Sequence, residues 1–160
     1  MRGSALERLV SSLDYPMIVV TAASRREVTG CLVGFFSQCS MDPIRLAVFL
    51  SKANHTFPIA RRASHLMIHF LDRKQHSLAS HFGELTGDEV DKFEGVRWKT
   101  GPDGRTPRLT DVDAWVFGRV IDRRDTGDHV AHIIEPVSAK SPRRLRQLGF
   151  QDVRDLEARH

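Results

Sequence analysis

The residues able to do chemistry in this 160-residue chain fall in three stretches. The first runs from Gly30 through Gly34, Phe35, Phe36, Ser37, Gln38 and Cys39 to Ser40, and leads into the turn residues Asp42-Pro43. The second is Asn54-His55-Thr56, with Lys52 just before it, and the third is Gly127-Asp128-His129. Each alone reads as a common loop or turn. Together they can ring a concave site with backbone N–H groups, short polar side chains and one imidazole. Such a set suits a flat aromatic cofactor carrying a phosphate, because exposed backbone N–H groups form anion-binding concavities.

Other chemistries lack their residues. There is no GxGxxG and no GxxxxGK[ST], so neither a dinucleotide-binding Rossmann unit nor a P-loop is encoded. The absence of GxSxG argues against an α/β-hydrolase. Eight histidines invite a metal reading, but HExxH is missing, and His129 and His132, three apart on a strand, point to opposite faces. They read as unrelated surface or core histidines, and no metal site is expected. Cys31 and Cys39 form no CxxC and have no adjacent Lys or Arg to lower a thiol pKa, so core packing is the expected role.

The elements that must position these residues follow from periodicity. Leu6, Leu9, Val10 and Leu13 predict a helix over 4–13, ended by Asp14-Tyr15-Pro16 because the residue before proline leaves the helical region. Six β-rich runs follow: 17–23, 28–36, 45–51, 66–71, 114–124 and 129–139. Gly30 and Gly34 lie inside the second, where glycine marks a bulge or close approach by a ligand. Short helices are expected near 56–63, 75–83 and 87–94, a Gly/Pro-rich loop over 99–109 and a hairpin turn at 125–128. Six strands with so few helices between them argue against a doubly wound parallel sheet, which needs a crossover helix after nearly every strand. A mainly β barrel with helical additions is expected, its closure removing exposed sheet edges.

At 41% hydrophobic the chain can bury a sizeable core, and its length fits one domain: helix 4–13, a barrel over about 14–139 and an Arg-rich tail over 140–160. The 24 basic and 20 acidic residues leave a net charge of +4. Three of those surplus charges fall in residues 139–160, so the body is nearly neutral and lacks the clustered charge that a duplex-binding surface needs. Arg143, Arg144 and Arg146 in the helix-like tail read as a solvated side or as an attraction for an anionic cofactor or acidic partner. No apolar run approaches the roughly 20 residues that span a bilayer, and residues 1–16 hold no uninterrupted signal-peptide core. The expectation is a cytoplasmic protein, with no membrane or nucleic-acid partner.

From Pro16 to about Ser138 the order and spacing resemble the flavin reductase-like family, an FMN-binding split β-barrel of Greek-key type. The landmarks are PMIVVTAA, TGCLVGFFSQCSMDPIRLAVFLSKANHTF, SHLMIHFL, SLASHFGELTGDEVDKFEGVRW and DAWVFGRVIDRRDTGDHVAHIIEPV. The resemblance implies a homodimer with one flavin per subunit, FMN with FAD as second candidate. It also implies hydride transfer from NADH or NADPH, and reduced flavin passing to a partner monooxygenase. Carried over residue by residue, Ser40, Asp42, Pro43, Asn54, Thr56 and the GDH histidine His129 match, and Lys52 is placed to meet the phosphate. The stretch Gly34 to Ser40 would supply its backbone N–H groups, and His129 would lie near flavin and nicotinamide.

The sequence also departs from the pattern. Leu32, Gly34 and Phe35 stand where hydroxyls are common in a G-x-T-x-S-S-F-type run, Ile44 replaces a frequent second proline, and His69 replaces an Asn. These changes mark a divergent branch and motivate a competing reading: a non-catalytic split-barrel protein holding flavin, deazaflavin or haem, with His55, His69 and His129 as haem ligands. An adaptor acting through the Arg-rich tail ranks last.

Overall fold

The computed structural model describes residues 3–84 and 91–156. A short helix, α1 (Ala5–Ser12), opens the chain, its first turn closed by a reciprocal Ser4–Glu7 capping box. Then come β1 (Ile18–Ser24), β2 (Glu27–Val33), β3 (Phe36–Met41), β4 (Ile44–Ser51), the single turn α2 (Phe57–Ala60) and β5 (His65–Phe70). Helix α3 (His76–Glu84), the hairpin β6 (Trp98–Thr100) and β7 (Pro107–Leu109), and the long strands β8 (Trp115–Asp125) and β9 (His129–Lys140) complete the set.

Seven strands form one antiparallel sheet in the order β2-β1-β5-β8-β9-β4-β3. Strands β2 and β3 lie at opposite ends of that order, yet only Gly34 and Phe35 separate them in the chain. Two linking residues reach no more than about 11 Å between the strand ends, so the sheet must curl until its two edges approach. The result is a barrel split along the line where β2 and β3 meet. Its interior packs Ile18, Val20, Cys31, Val48, Leu66 and Ile134, the inward residues of five strands.

β1 is buried on both faces, which is why its sequence is a continuous apolar run rather than an alternating one. A second core on its outer side joins Met17 and Val19 to Phe82 of α3 and to Leu148 and Val153. The tail is therefore not a helix and is packed on the body through Leu148 and Val153, while Arg143, Arg144 and Arg146 are exposed as the solvated side expected of them. After Lys140 the chain runs back as irregular backbone, with Leu148 only 2% exposed. Leu148 accepts from Met17 N–H (2.8 Å) and donates to the Leu71 carbonyl (2.8 Å), and a 3-10 turn over Phe150–Val153 follows. Pro142 and Gly149 disfavour a continuous helix here, and the backbone groups bond to the body instead.

Three further expectations are corrected. The run 28–36 is two strands, broken where the chain passes from one sheet edge to the other. The 99–109 loop contains the β6–β7 hairpin, closed by the Asp103 carboxylate accepting from Arg105 N–H, Thr106 N–H and the Thr106 hydroxyl. Of the helix expected over 87–94, residues 87–90 lie outside the described residues, and 91–94 belong to a turn.

Two histidines are fully buried. His69 donates Nδ1–H to the Val19 carbonyl (2.9 Å), and its Nε2 accepts from Leu109 N–H (2.9 Å), stitching β1 to β7 through β5. His132 on β9 donates Nδ1–H to the Val130 carbonyl (3.0 Å). Burial pushes both imidazoles down to about 4, with the nearby Arg108 and Arg123 acting in the same direction. The unfolded chain takes up these protons near pH 6.5, whereas the native core excludes them until about pH 4. Stability is thus fully present above that window and falls as the pH drops through it. Urea unfolding at pH 5 should show a loss of about 1–2 kcal/mol per histidine relative to pH 7, and His69→Gln should flatten this dependence.

Where β8 crosses β9, a Cβ at Gly118 would fall onto Ile134 Cγ2 and lie 3.0 Å from the Glu135 carbonyl oxygen. Gly118→Ala should therefore destabilise the protein by about 1–3 kcal/mol in the same assay.

Candidate functional site

The seam where β2 and β3 part is the place to look for a ligand. A cavity of about 290 Å³ opens there, floored by Cys31, Val33 and Leu50 of the barrel. Leu32, Gly34, Phe35 and Phe49 wall one side, and Phe82 and Gly83 of α3 another. Phe150, Val153 and Leu156 of the tail wall a third, so the tail completes the cavity as well as the core. Its polar groups are few: Ser51, Asn54 and His129 reach the lining beside mostly apolar and aromatic side chains. A small number of placed polar groups in an apolar concavity is the usual composition of a cofactor site.

A second cavity of about 390 Å³ adjoins it, lined by Tyr15, Phe36, Ser37, Thr126 and Asp128. The two share Phe35, Phe49 and His129 as lining residues. Along β3 the N–H of Phe49 donates to the Phe35 carbonyl (3.0 Å), and the register continues as Phe36↔Val48 and Ser37↔Ala47. In an antiparallel ladder alternate residues exchange bonds, so the N–H groups of Phe36 and Gln38 face the open edge of the sheet. Among the described residues no strand pairs with this edge; Phe36 lines the second cavity, and Gln38 lies two residues farther along β3.

The turn between β8 and β9 holds His129 in place. Gly127 takes a φ of +133°, and its N–H donates to Asp125 Oδ1 (3.0 Å). Thr126 N–H and hydroxyl both donate to the His129 carbonyl (3.0 and 2.9 Å). Lys52 clamps the turn from β4, donating its N–H to the Asp128 carbonyl (2.9 Å) and its ammonium to Asp125 (2.6 Å). His129 in turn donates Nδ1–H to the Asp128 carboxylate (2.7 Å), which leaves Nε2 as the nitrogen available to a ligand. The hydrogen bond from His129 holds the Asp128 carboxyl below the usual carboxylate range, and that from Lys52 does the same for Asp125.

The expected site residues divide accordingly. Gly34, Phe35, Asn54 and His129 line the first cavity, and Phe35, Phe36, Ser37, Asp128 and His129 the second. Gln38, Cys39 and Ser40 run on along the exposed edge, with a bulge between Gln38 and Ser40. Lys52 points at the turn rather than lining either cavity. Asn54 Oδ1 accepts from Thr56 N–H (2.8 Å), and the buried Thr56 hydroxyl pairs with Thr29 (2.9 Å), so this segment shapes the start of α2. His55 lines a separate small pocket with Thr29 and Lys92. Both ring nitrogens of His69 are engaged inside the core, which removes it as a haem ligand.

Several lining residues escaped sequence reasoning. Met17, Phe49, Phe82 and Phe150 carry only an apolar signal, which core packing explains equally well. Lys92 is buried behind the wall, donating to the carbonyls of Gly30 and Phe82 (3.2 Å each), and burial pushes its ammonium down. Burial likewise pushes the Cys31 thiol up, in keeping with its expected packing role, whereas Cys39, expected to pack as well, is exposed because it lies on the edge strand β3. Among the described residues no group of three or more His, Cys, Asp or Glu could hold a metal ion. No helix among them is long and apolar enough to cross a membrane.

Residues 10–155 match the sequence model of the Flavin reductase like domain. A Rhizobium meliloti (strain 1021) protein bearing the name "Probable flavin reductase" is 31% identical over 135 residues, which cover 82% of this chain and 42% of that relative. The chain therefore spans less than half of that relative's length. The Archaeoglobus fulgidus ferric-chelate reductase (NAD(P)H) is 26% identical over 142 residues, 88% of this chain and 83% of the relative. In three dimensions the NADH:FAD oxidoreductase of Streptomyces globisporus C-1027 superposes with a TM-score of 0.83 at 19% identity, covering 97% of this chain and 90% of that one. That likeness establishes the same split-barrel fold. With the family model spanning nearly the whole chain, the protein belongs to the flavin reductase like domain family.

Proposed function

We propose that this protein is an NAD(P)H-dependent flavin oxidoreductase that binds FMN at the seam and supplies reduced flavin to a separate monooxygenase. The observation that carries this reading is the pair of adjoining cavities meeting at Phe35 and His129 beside the open N–H edge of β3. The residues present suit a flavin. The apolar wall matches a flat ring system, while the N–H groups of Phe36 and Gln38, which face the open edge of the sheet, suit its oxygens and ring nitrogens. A bound flavin supplies the hydride chemistry, accepting from a nicotinamide and releasing electrons to an acceptor.

The protein's own part is binding and orientation. His129 Nε2 serves as an acceptor toward the ligands, because Asp128 selects the neutral tautomer with the proton on Nδ1, and Lys52 holds the turn that carries both. Asn54, with its amide oxygen occupied by Thr56 N–H, has its amide N–H groups left for the ligand. The apolar side chains of Leu32 and Phe82 exclude water from the ring site. FAD is the alternative flavin. A homodimer is part of the reading, because Leu6, Leu9, Met41 and Ile44 are exposed apolar side chains that a second copy would cover. A cytoplasmic location completes it. The replacement of hydroxyls by Leu32, Gly34 and Phe35 supports one second reading, a flavin- or deazaflavin-binding protein without turnover.

Titration with FMN should quench flavin fluorescence saturably, and the loaded protein should oxidise NADH or NADPH. Saturable binding with no oxidation of either nucleotide would select the second reading; no binding of FMN or FAD would overturn the first, and no binding of a deazaflavin as well would overturn both. His129→Ala should lower kcat/KM for the nicotinamide by about 10- to 100-fold while leaving the unfolding midpoint near that of the parent. Unchanged kcat/KM would remove His129 from the site.

A further inference from the structure

Phe35 lines both cavities together with Phe49 and His129, and its ring is the more exposed of the two phenylalanines. Its backbone is pinned to β4 by the Phe49 N–H, but its side chain belongs to neither hydrophobic core and is 46% exposed. The ring stands at the boundary of the two cavities and lines both. It touches Tyr15 edge-on (centroids 5.5 Å apart, 68° between planes) and tilts against His129 (5.0 Å, 47°). Tyr15 in turn packs edge-on against Phe150 of the tail (5.9 Å). Gly34, immediately before it, carries no side chain that would restrict the swing of the ring.

We infer that the Phe35 ring is a shutter that decides whether two flat ligands can meet face to face at the seam. The inference deepens the oxidoreductase reading and rests on it. Rings that react with each other must approach to about 3–3.5 Å, which leaves no space for a third ring between them. As placed, Phe35 stands where the cavities join, so a ligand in one chamber meets its neighbour only when that ring turns aside. With edge contacts to Tyr15 and a tilted contact to His129, and no core packing, the ring is held in place but not locked. The ligand that enters second, a nicotinamide on flavin-loaded protein, therefore binds against the closed fraction, and its apparent affinity is reduced by that fraction. Phe35 thereby acts as a specificity determinant for the electron donor, favouring donors whose ring displaces it.

The test uses the whole chain and equilibrium binding. FMN affinity is read by fluorescence quenching, and NAD+ and NADP+ affinities on FMN-loaded protein by calorimetry, for the parent, Phe35→Ala and Phe35→Leu. If the open state is populated at about 10%, Phe35→Ala, measured with each variant saturated by FMN, should tighten the better nicotinamide about tenfold. Phe35→Leu, which keeps bulk without a flat ring, should fall between and guards against a folding defect in the alanine variant. Unchanged or weaker nicotinamide binding in both variants would overturn the shutter. Loss of FMN affinity in both would also overturn it, making Phe35 a stacking platform. Failure of the parent itself to bind any flavin would instead sink the oxidoreductase reading, and the shutter with it.

Discussion

The structure depends on one constraint: strands at opposite ends of a seven-stranded sheet are joined by two residues, Gly34 and Phe35. A link that short forces the sheet to curl, because a flat sheet would hold its end strands far beyond the reach of two residues. Curling encloses the first core, and the imperfect meeting of β2 and β3 leaves a seam whose backbone donors lack strand partners. Hence the same two residues that close the fold also lie at its candidate site. A change at this corner acts on ligand geometry and on barrel closure together.

The seam alone would be an open groove. What makes it a cavity is material from outside the barrel: α3 contributes Phe82 and Gly83, and the tail contributes Phe150, Val153 and Leu156. These segments are in place because β1 is apolar on both faces and must be covered on its outer side. Burial energy of the second core thus shapes the ligand site, at about 25 cal/mol per Å² of apolar surface removed from water. Charged groups have a narrower part. The Lys52–Asp125 and His129–Asp128 pairs are exposed and contribute little to stability, but they set the conformation of one turn and the tautomer of one ring.

Buried titratable groups divide into inert and available ones. His69 spends both nitrogens on backbone partners, and Lys92 donates to the carbonyls of Gly30 and Phe82, so both serve the fold rather than a ligand. His129, on an exposed turn, keeps one nitrogen open. Counting histidines therefore overstates the chemistry, and what separates them is which backbone groups each one satisfies.

Much of the protein was legible without coordinates. The β-branched runs and the lack of crossover helices indicated a mainly β barrel, because these depend on local periodicity and turn chemistry, and the resemblance carried by the Asp42-Pro43, Asn54-His55-Thr56 and Gly127-Asp128-His129 segments implied the split form and the site. Gly34, Phe35, Asn54 and His129 did converge on one cavity. Long-range packing decided the rest. Whether a phenylalanine faces core or ligand, as at Phe49, Phe82 and Phe150, has no local signature. The tail's path followed from hydrogen bonds to residues far away in the chain, so its arginines suggested a solvated helix that the body's backbone groups do not permit. Lys52 shows the same division: its charge and position suggested a phosphate, and the fold supplied Asp125, 73 positions away, as its partner.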